Sequence, residues 1–355
     1  MNKKEGAIFA SGYLIGMLKV LFLLALIAGT IWIVRSQRDM PYQQNSGFIF
    51  GTTYNITYQS EEDLQEGIAH ELLRVDSALS MFNEQSVISH VNRNEPYEPN
   101  AMFTEVVTRA LQIADDTEGA FDITVAPLVN AWGFGFKSGV KPTDAAIDSI
   151  RRSVGYRKIQ LTDGRITKRN PQTMLDCSAI AKGYGCDVVA RYLRKQGIKN
   201  FMVEIGGEVV TCGISPHRVP WKIGVVKPTD DTLNVQQELQ TVLNVTDKAM
   251  ATSGNYRNFY YKGGKKYAHT IDPATGRPVQ HSLLSATVLA DDCATADAYA
   301  TSFMVMGMER ARKVLERHPK LMAYFIYSDA QGQTAVWYSP SLRDKIDEHG
   351  VPQSE

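Results

Sequence analysis

Residues 20–34 read VLFLLALIAGTIWIV, with no charged side chain. A run this apolar asks for a non-aqueous surrounding, and backbone N–H and C=O groups in hydrocarbon are satisfied only inside a helix or a closed barrel. Extended back to Tyr13, the segment holds about 22 residues, enough for a helix to span a bilayer. Lys19 interrupts it, but a lysine stem can carry its charge to the interface. The alternative is a cleaved signal peptide, with Lys3, Lys4 and Lys19 as its basic region. The run passes straight into Arg35, Ser36 and Gln37 without a small-residue cleavage site. The first cysteine is Cys177, too late for a lipid-modified one. The reading is therefore an uncleaved signal anchor: a cytoplasmic N-terminus over 1–12 and a transmembrane helix over 13–34. Lys3, Lys4, Lys19 and the amino terminus outweigh Arg35 and Arg38, which places the N-terminus inside. The rest of the chain then lies on the periplasmic or extracytoplasmic side of the inner membrane, held by a single pass.

About 320 residues follow the apolar run, enough for one large domain or two intimate lobes. We divide them into a linker over 35–46, a main domain over 47–340 and a polar tail over 341–355. The formal net charge is zero and no basic block occurs. Nucleic-acid binding is excluded as the main task, because phosphate neutralisation needs clustered Lys and Arg. Cys177, Cys186, Cys212 and Cys293 contain no CxxC pair, which argues against a thiolate metal site or a redox motif. An even number in an exported chain permits a disulfide, but buried thiols are the expectation in a domain of this size.

Local patterns give an α+β reading. MPYQQNS at 40–46 is polar linker, and residues 48–58 alternate with a strand's period of two. Ser60 and Asp63 resemble a capping box ahead of Leu64, Ile68, Leu72, Val75 and Leu79 at helical spacing. Further helices fit 104–117, a segment from near Ser178 to Gly197, and 294–318 with a break at Gly307. Strands fit 201–205, 221–226, 267–271, 285–289 and 322–327. Without a regular βαβ rhythm, this predicts antiparallel sheets flanked by helices.

Four segments hold more Gly, Asp, Thr and His than packing requires. The first is AFDITVAPL at 120–128, leading to Trp132 and Gly133. The second is DCSAIAKGY at 176–184. Asp176 and Ser178 are good N-cap residues there, while a helix start also presents N–H groups to an anion and Lys182 falls in its first turn. The third is ATSGNYR at 251–257, followed by HTIDPATG at 269–276. The fourth is ADAYAT at 296–301, where Asp297 and Thr301 share a helix face at i, i+4 and offer oxygens to a hard cation.

With GTTYNITY at 51–58, SVISHVN at 86–92 and VEIGGEV at 203–209, these segments stand in one order that resembles the ApbE family, the FAD:protein FMN transferases. The likeness runs from about Gly47 to Tyr327. It implies an ApbE-like flavin transferase fold. It also implies a reaction: magnesium-dependent transfer of FMN from FAD to a Thr or Ser hydroxyl of an acceptor, forming a phosphoester and releasing AMP. The acceptor implied is a flavoprotein subunit of a membrane redox complex, such as a sodium-translocating NADH:quinone reductase. Carried over position by position, the side chains of Asp297 and Thr301 and the carbonyl of Ala179 ligate magnesium. Phe50, Phe82, Ala120, Phe121, Asp122, Asp176, Lys182 and Ile271 line the FAD site.

Pyrophosphate cleavage needs stabilised phosphoryl charge and a placed nucleophile. Asp297, through the metal, serves the first; His269, whose ordinary pKa lies nearest working pH, is the candidate general base. Two other readings fit parts of the pattern: an FAD pyrophosphatase giving free FMN and AMP, and a non-catalytic membrane-anchored flavin-binding protein.

Overall fold

The computed structural model describes residues 3–134, 142–228, 238–255, 259–262, 265–268 and 270–347. The chain divides into two compact units. One comprises residues 1–43 with 59–63, the other residues 44–58 with 64–355.

The first unit is dominated by helix α1 (Lys3–Asp39). Within it, Gly16–Arg35 is apolar enough to cross a membrane, with a mean hydropathy of 2.4. Thr30 donates its hydroxyl to the Leu26 carbonyl one turn back, so even its polar group is satisfied inside the helix.

The second unit carries everything else. Its helices are α2 (Gln65–Leu79), α3 (Val87–Arg93), α4 (Ala101–Asp116), α5 (Ala126–Ala131), α6 (Asp144–Arg151), α7 (Ala181–Lys195) and α8 (Cys293–Arg317). The strands run in chain order as β1 (Tyr42–Ile49), β2 (Thr52–Gln59), β3 (Ile159–Thr162), β4 (Arg165–Lys168), β5 (Phe201–Ile205), β6 (Glu208–Cys212), β7 (Trp221–Val226), β8 (Leu239–Val245) and β9 (Ala249–Gly254). They continue as β10 (Phe259–Lys262), β11 (Lys265–Ala268), β12 (Ile271–Asp272), β13 (Arg277–Pro278), β14 (Leu283–Ala290), β15 (Met322–Ser328), β16 (Thr334–Tyr338) and β17 (Ile346–Asp347).

Among the described residues, eight strands form the main sheet in the order β1-β2-β5-β6-β9-β14-β15-β16. From β2 to β16 each adjacent pair is antiparallel. A smaller sheet has the order β17-β8-β7. The mixed α+β architecture with antiparallel sheets agrees with the sequence reading.

Helix α8 packs on β9 and β14 and runs beside α7, which in turn meets α2 and β5. Two of the apolar clusters among the described residues form around these elements. Phe103, Phe303 and Phe325 are buried in the larger one, and Tyr58, Leu72 and Phe201 in the other. The expected break in the last long helix is real: Gly307 has φ 74° and ψ 172° inside α8. Only glycine takes that conformation without strain, so the helix bends there and continues.

Four local expectations are corrected. The polar stretch at 40–46 is mostly strand, because β1 begins at Tyr42 as an edge strand with a largely solvated face. Ser60 and Asp63 do not form a capping box: α2 starts at Gln65 behind Leu64, with no side-chain cap. The second helix begins at Ala101 rather than 104, because Asn100 accepts hydrogen bonds from the N–H groups of Met102 and Phe103. The chain beyond 340 is folded through Asp347: Leu342 is fully buried and β17 pairs with β8. All four cysteines are free thiols, and all but Cys212 are buried.

Candidate active site

A cavity of about 500 Å³ opens where α7, α8, β9 and the loop before α5 converge. Its apolar wall includes Phe121, Ile271 and Met304, with Phe82 at the rim, 77% exposed. Its polar wall includes Asp122, Asp176, Lys182, Asp297 and Thr301, together with Ala120 and Ala179. Of the flavin-site residues named from the sequence, only Phe50 is not among the lining residues. It sits in the β1–β2 turn at φ 52°, partly buried against both apolar clusters. His269 lies outside the described residues, but the next two positions, Thr270 and Ile271, both line the cavity.

The signature segments build this wall in a traceable way. In AFDITVAPL, Asp122 Oδ1 accepts from the Thr124 N–H at 2.8 Å and hydroxyl at 2.6 Å, and Oδ2 accepts from the Tyr156 N–H at 2.8 Å. Burial nonetheless holds the Asp122 carboxyl above its ordinary pKa, with those hydrogen bonds pulling the other way. Asp122 therefore fixes the loop as well as lining the cavity. Its neighbour Ile123 accepts from the Asp176 N–H at 2.7 Å. Asn92, from the SVISHVN segment, clasps Leu175 in both directions: its Nδ2 donates to the Leu175 carbonyl at 2.9 Å and its Oδ1 accepts from the Leu175 N–H at 2.7 Å. Asp176 is thus placed from two sides. Trp132, 2% exposed, donates Nε1–H to the Gly276 carbonyl at 2.8 Å and ties the end of α5 to the Asp272–Gly276 turn.

The start of α7 differs from the sequence expectation. Asp176 Oδ1 accepts from the Ser178 N–H at 2.8 Å, and the helix begins only at Ala181, with no side-chain cap of its own. One N–H of the first turn meets a carboxylate within the protein: Gly183 donates to Asp297 Oδ2 at 3.1 Å. This contact needs glycine. A Cβ at 183 would lie 2.4 Å from the Cys293 carbonyl oxygen and 2.9 Å from the Asp297 Cβ, so any side chain would push α7 off α8.

A buried charge cluster faces the cavity. Lys182 Nζ stands 3.0 Å from Glu208 Oε1 and 3.8 Å from Asp297 Oδ2, with the two carboxylate side chains 5% and 2% exposed. Burial alone would lower the Lys182 pKa, but Asp297 and Glu208 raise it above the ordinary lysine value, so the ammonium stays charged. Burial pushes both carboxyls up, Glu208 to about 7, with Lys182 opposing it in each case. One turn along α8, Thr301 Oγ1 lies 3.1 Å from Ser253 Oγ. Sequence reasoning assigned no role to Glu208 or Ser253. The available signal for Glu208 was a charged residue directly after Gly206-Gly207 and opening an otherwise apolar strand.

Among the described residues, no group of three or more His, Cys, Asp or Glu side chains is placed to hold a metal ion. A cation here would rely on mixed oxygen donors. The Asp297 carboxylate, the Thr301 hydroxyl and the Ala179 carbonyl belong to residues lining one cavity and suit a hard ion. One or two carboxylates, with the remaining positions left to substrate phosphates and water, is how magnesium is ordinarily held.

Comparison with known proteins follows the same lines. The profile of the ApbE family matches residues 50–325. The FAD:protein FMN transferase of Vibrio cholerae serotype O1 is 40% identical over 312 residues, covering 84% of this chain and 92% of its own. That of Haemophilus influenzae is 35% identical over 323 residues, with coverages of 86% and 92%. The solved flavin transferase ApbE from Vibrio cholerae superposes with a TM-score of 0.77 at 37% identity, over 86% of this chain and 99% of that one. The apo form of the Pseudomonas stutzeri flavinyl transferase ApbE gives 0.76 at 29% identity, over 86% and 97%.

Proposed function

Because the chain belongs to the ApbE family, we propose that it is an FAD:protein FMN transferase that uses magnesium to move FMN onto a Thr or Ser hydroxyl of an acceptor protein. The carrying observation is that Asp297 and Thr301 on α8, Ala179 ahead of α7, and the flavin-site candidates Phe82, Phe121, Asp122, Asp176, Lys182 and Ile271 line one cavity. FAD is the substrate. The acceptor oxygen attacks the phosphorus on the FMN side of the pyrophosphate, a new P–O bond forms, and the bond to the AMP oxygen breaks. The hydroxyl proton goes to a base and AMP leaves.

The chain's own groups divide this work. The apolar wall with Phe82 and Phe121 gives a flavin ring a surface to pack on and excludes water from the polar end. The Lys182 ammonium offers charge to phosphate oxygens. Asp297, Thr301 and the Ala179 carbonyl would hold magnesium, which when bound would supply Lewis-acid stabilisation of phosphoryl charge. His269 is the base that takes the acceptor proton, supported by the placement of Thr270 and Ile271 at the cavity. His269→Ala then lowers transfer about 10²- to 10⁴-fold with FAD binding kept; near-normal transfer by that variant removes His269 from the mechanism.

The N-terminal apolar helix is a signal sequence or a membrane anchor. We take it as an uncleaved anchor, with the catalytic unit on the extracytoplasmic side. The acceptor is then a flavoprotein subunit of a membrane redox complex, of the sodium-translocating NADH:quinone reductase kind. The deciding experiment incubates the chain with FAD, magnesium and such a subunit, denatures the mixture, and weighs the acceptor by mass spectrometry. A single covalent FMN adduct with AMP released supports the reading. Free FMN and AMP without an adduct make the chain an FAD pyrophosphatase instead.

A further inference from the structure

Glu208 opens β6 directly behind Gly206 and Gly207, both at positive φ. Its side chain lines the cavity beside Lys182 and Asp297 and is 5% exposed. One carboxylate oxygen takes the Lys182 ammonium at 3.0 Å, while the other, Oε2, is buried without a hydrogen-bond partner. The same ammonium lies 3.8 Å from Asp297 Oδ2. One cation is thus shared between two buried carboxylates, and it sits closer to the one the reaction has not claimed. Buried carboxylates are costly unless paired, so such an arrangement calls for a reason.

We propose that Glu208 is a positioning residue that draws the Lys182 ammonium toward β6 and keeps the Asp297 carboxylate open to a divalent cation. This rests on the divalent-cation reading above. A lysine ammonium is a compact charge on a flexible stem, and with Glu208 gone its nearest carboxylate is Asp297. Sitting there, it would compete for the oxygen atoms a metal ion needs. The unpartnered Oε2 gives Lys182 a second acceptor on the same side chain, so the ammonium can shift without returning to Asp297. Glu208 also leaves the cluster with a surplus of negative charge for a cation to neutralise.

The test uses Mn²⁺ as probe on the full-length chain in detergent, with free Mn²⁺ followed by electron paramagnetic resonance, with and without FAD and without acceptor. Glu208→Gln should raise the Mn²⁺ dissociation constant by roughly tenfold or more. Adding Lys182→Met to that variant should return it to within about threefold of the wild type, since no ammonium remains to compete. Lys182→Met alone should bind Mn²⁺ at least as tightly as the wild type without FAD, and this variant decides the matter should Glu208→Gln fail to fold. Unchanged binding by a folded Glu208→Gln overturns the inference. So does a double variant as weak as Glu208→Gln, which would make Glu208 a direct ligand, or a weakened Lys182→Met. A wild-type chain that binds no Mn²⁺ even with FAD overturns the cation reading itself, and this inference with it.

Discussion

Helices α7 and α8 lie side by side, and their first turns meet the need for N–H partners in opposite ways. The start of α8 is closed by carboxylates. Asp292 accepts from the Thr295 N–H at 2.9 Å, and the two oxygens of Asp187 take the Cys293 and Ala294 N–H groups at 2.8 and 2.9 Å. Arg109 pairs with Asp292 from outside. The start of α7 has no cap of its own, and its Gly183 N–H goes to Asp297, a residue of the neighbouring helix that also lines the cavity. Asp187 and Asp292 cap the start of α8, whereas Asp297 accepts from α7 and also lines the cavity. Identical chemistry at two helix starts, a carboxylate on an N–H, thus closes one helix end and, in the proposed mechanism, places a metal-binding carboxylate at the other.

The sharpest break in that comparison is Asp297→Asn. The amide can still accept from Gly183, so the fold should survive, but the charge for magnesium is gone. Transfer should fall about 10³-fold, equivalent to about 4 kcal/mol in the barrier, read as covalent flavin fluorescence on the acceptor after denaturing electrophoresis. Unimpaired transfer would reduce Asp297 to a cap like Asp187.

Asp187 tests the other side. Burial, reinforced by Asp292, pushes its carboxyl up to about 7 against the two N–H groups that favour ionisation. It therefore binds its proton more tightly folded than unfolded. Its share of stability is complete at low pH and declines as pH rises from the ordinary carboxylate range to about 7. The span is on the order of 4 kcal/mol at most. Asp187→Asn should flatten that slope in urea unfolding measured from pH 4 to 7, with transfer activity unchanged at pH values where the variant is folded. An unaltered slope would show that Asp187 does not carry it.

The smallest effect is expected at the contact itself. Gly183→Ala would place a methyl against the Cys293 carbonyl and cost about 1–3 kcal/mol of overpacking. Its use is diagnostic: if α7 positions Asp297, activity should fall further than the lost folded fraction explains, which thermal unfolding and transfer rate measured on one sample would separate.

Much of this was legible in the sequence, and the reasons differ by element. Strands Phe201–Ile205 and Trp221–Val226 are read residue for residue because their burial alternates and glycine or turn residues bound them. The kink at Gly307 is legible because glycine is a local signal. The linker at 40–46 and the tail beyond 340 read as unstructured because their strands are edge or short elements whose polarity reflects the solvated face, and only pairing with β2 and β8 makes them strands. At the site, composition marks the Gly- and Asp-rich segments, and the family resemblance names the individual residues within them. Glu208 is not: its role depends on Lys182 and Asp297, which come from two different helices, and no local pattern encodes that meeting. Phe50 shows the converse, a position carried over from resemblance that packs against both clusters and is not among the residues lining the cavity.

The hydrogen bond from Trp132 to Gly276 joins two segments 144 residues apart, both contributing residues to the wall of the cavity. An indole ring clamped in that way is a built-in optical gauge. Its emission colour and lifetime report whether the panel made by α5 and the Asp272–Gly276 turn is latched. Flavin absorbs where tryptophan emits, so an occupied cavity would also dim it by energy transfer. Once Trp32, Trp221 and Trp337 are replaced by phenylalanine, Trp132 would be the one indole left to report on that cavity without a label.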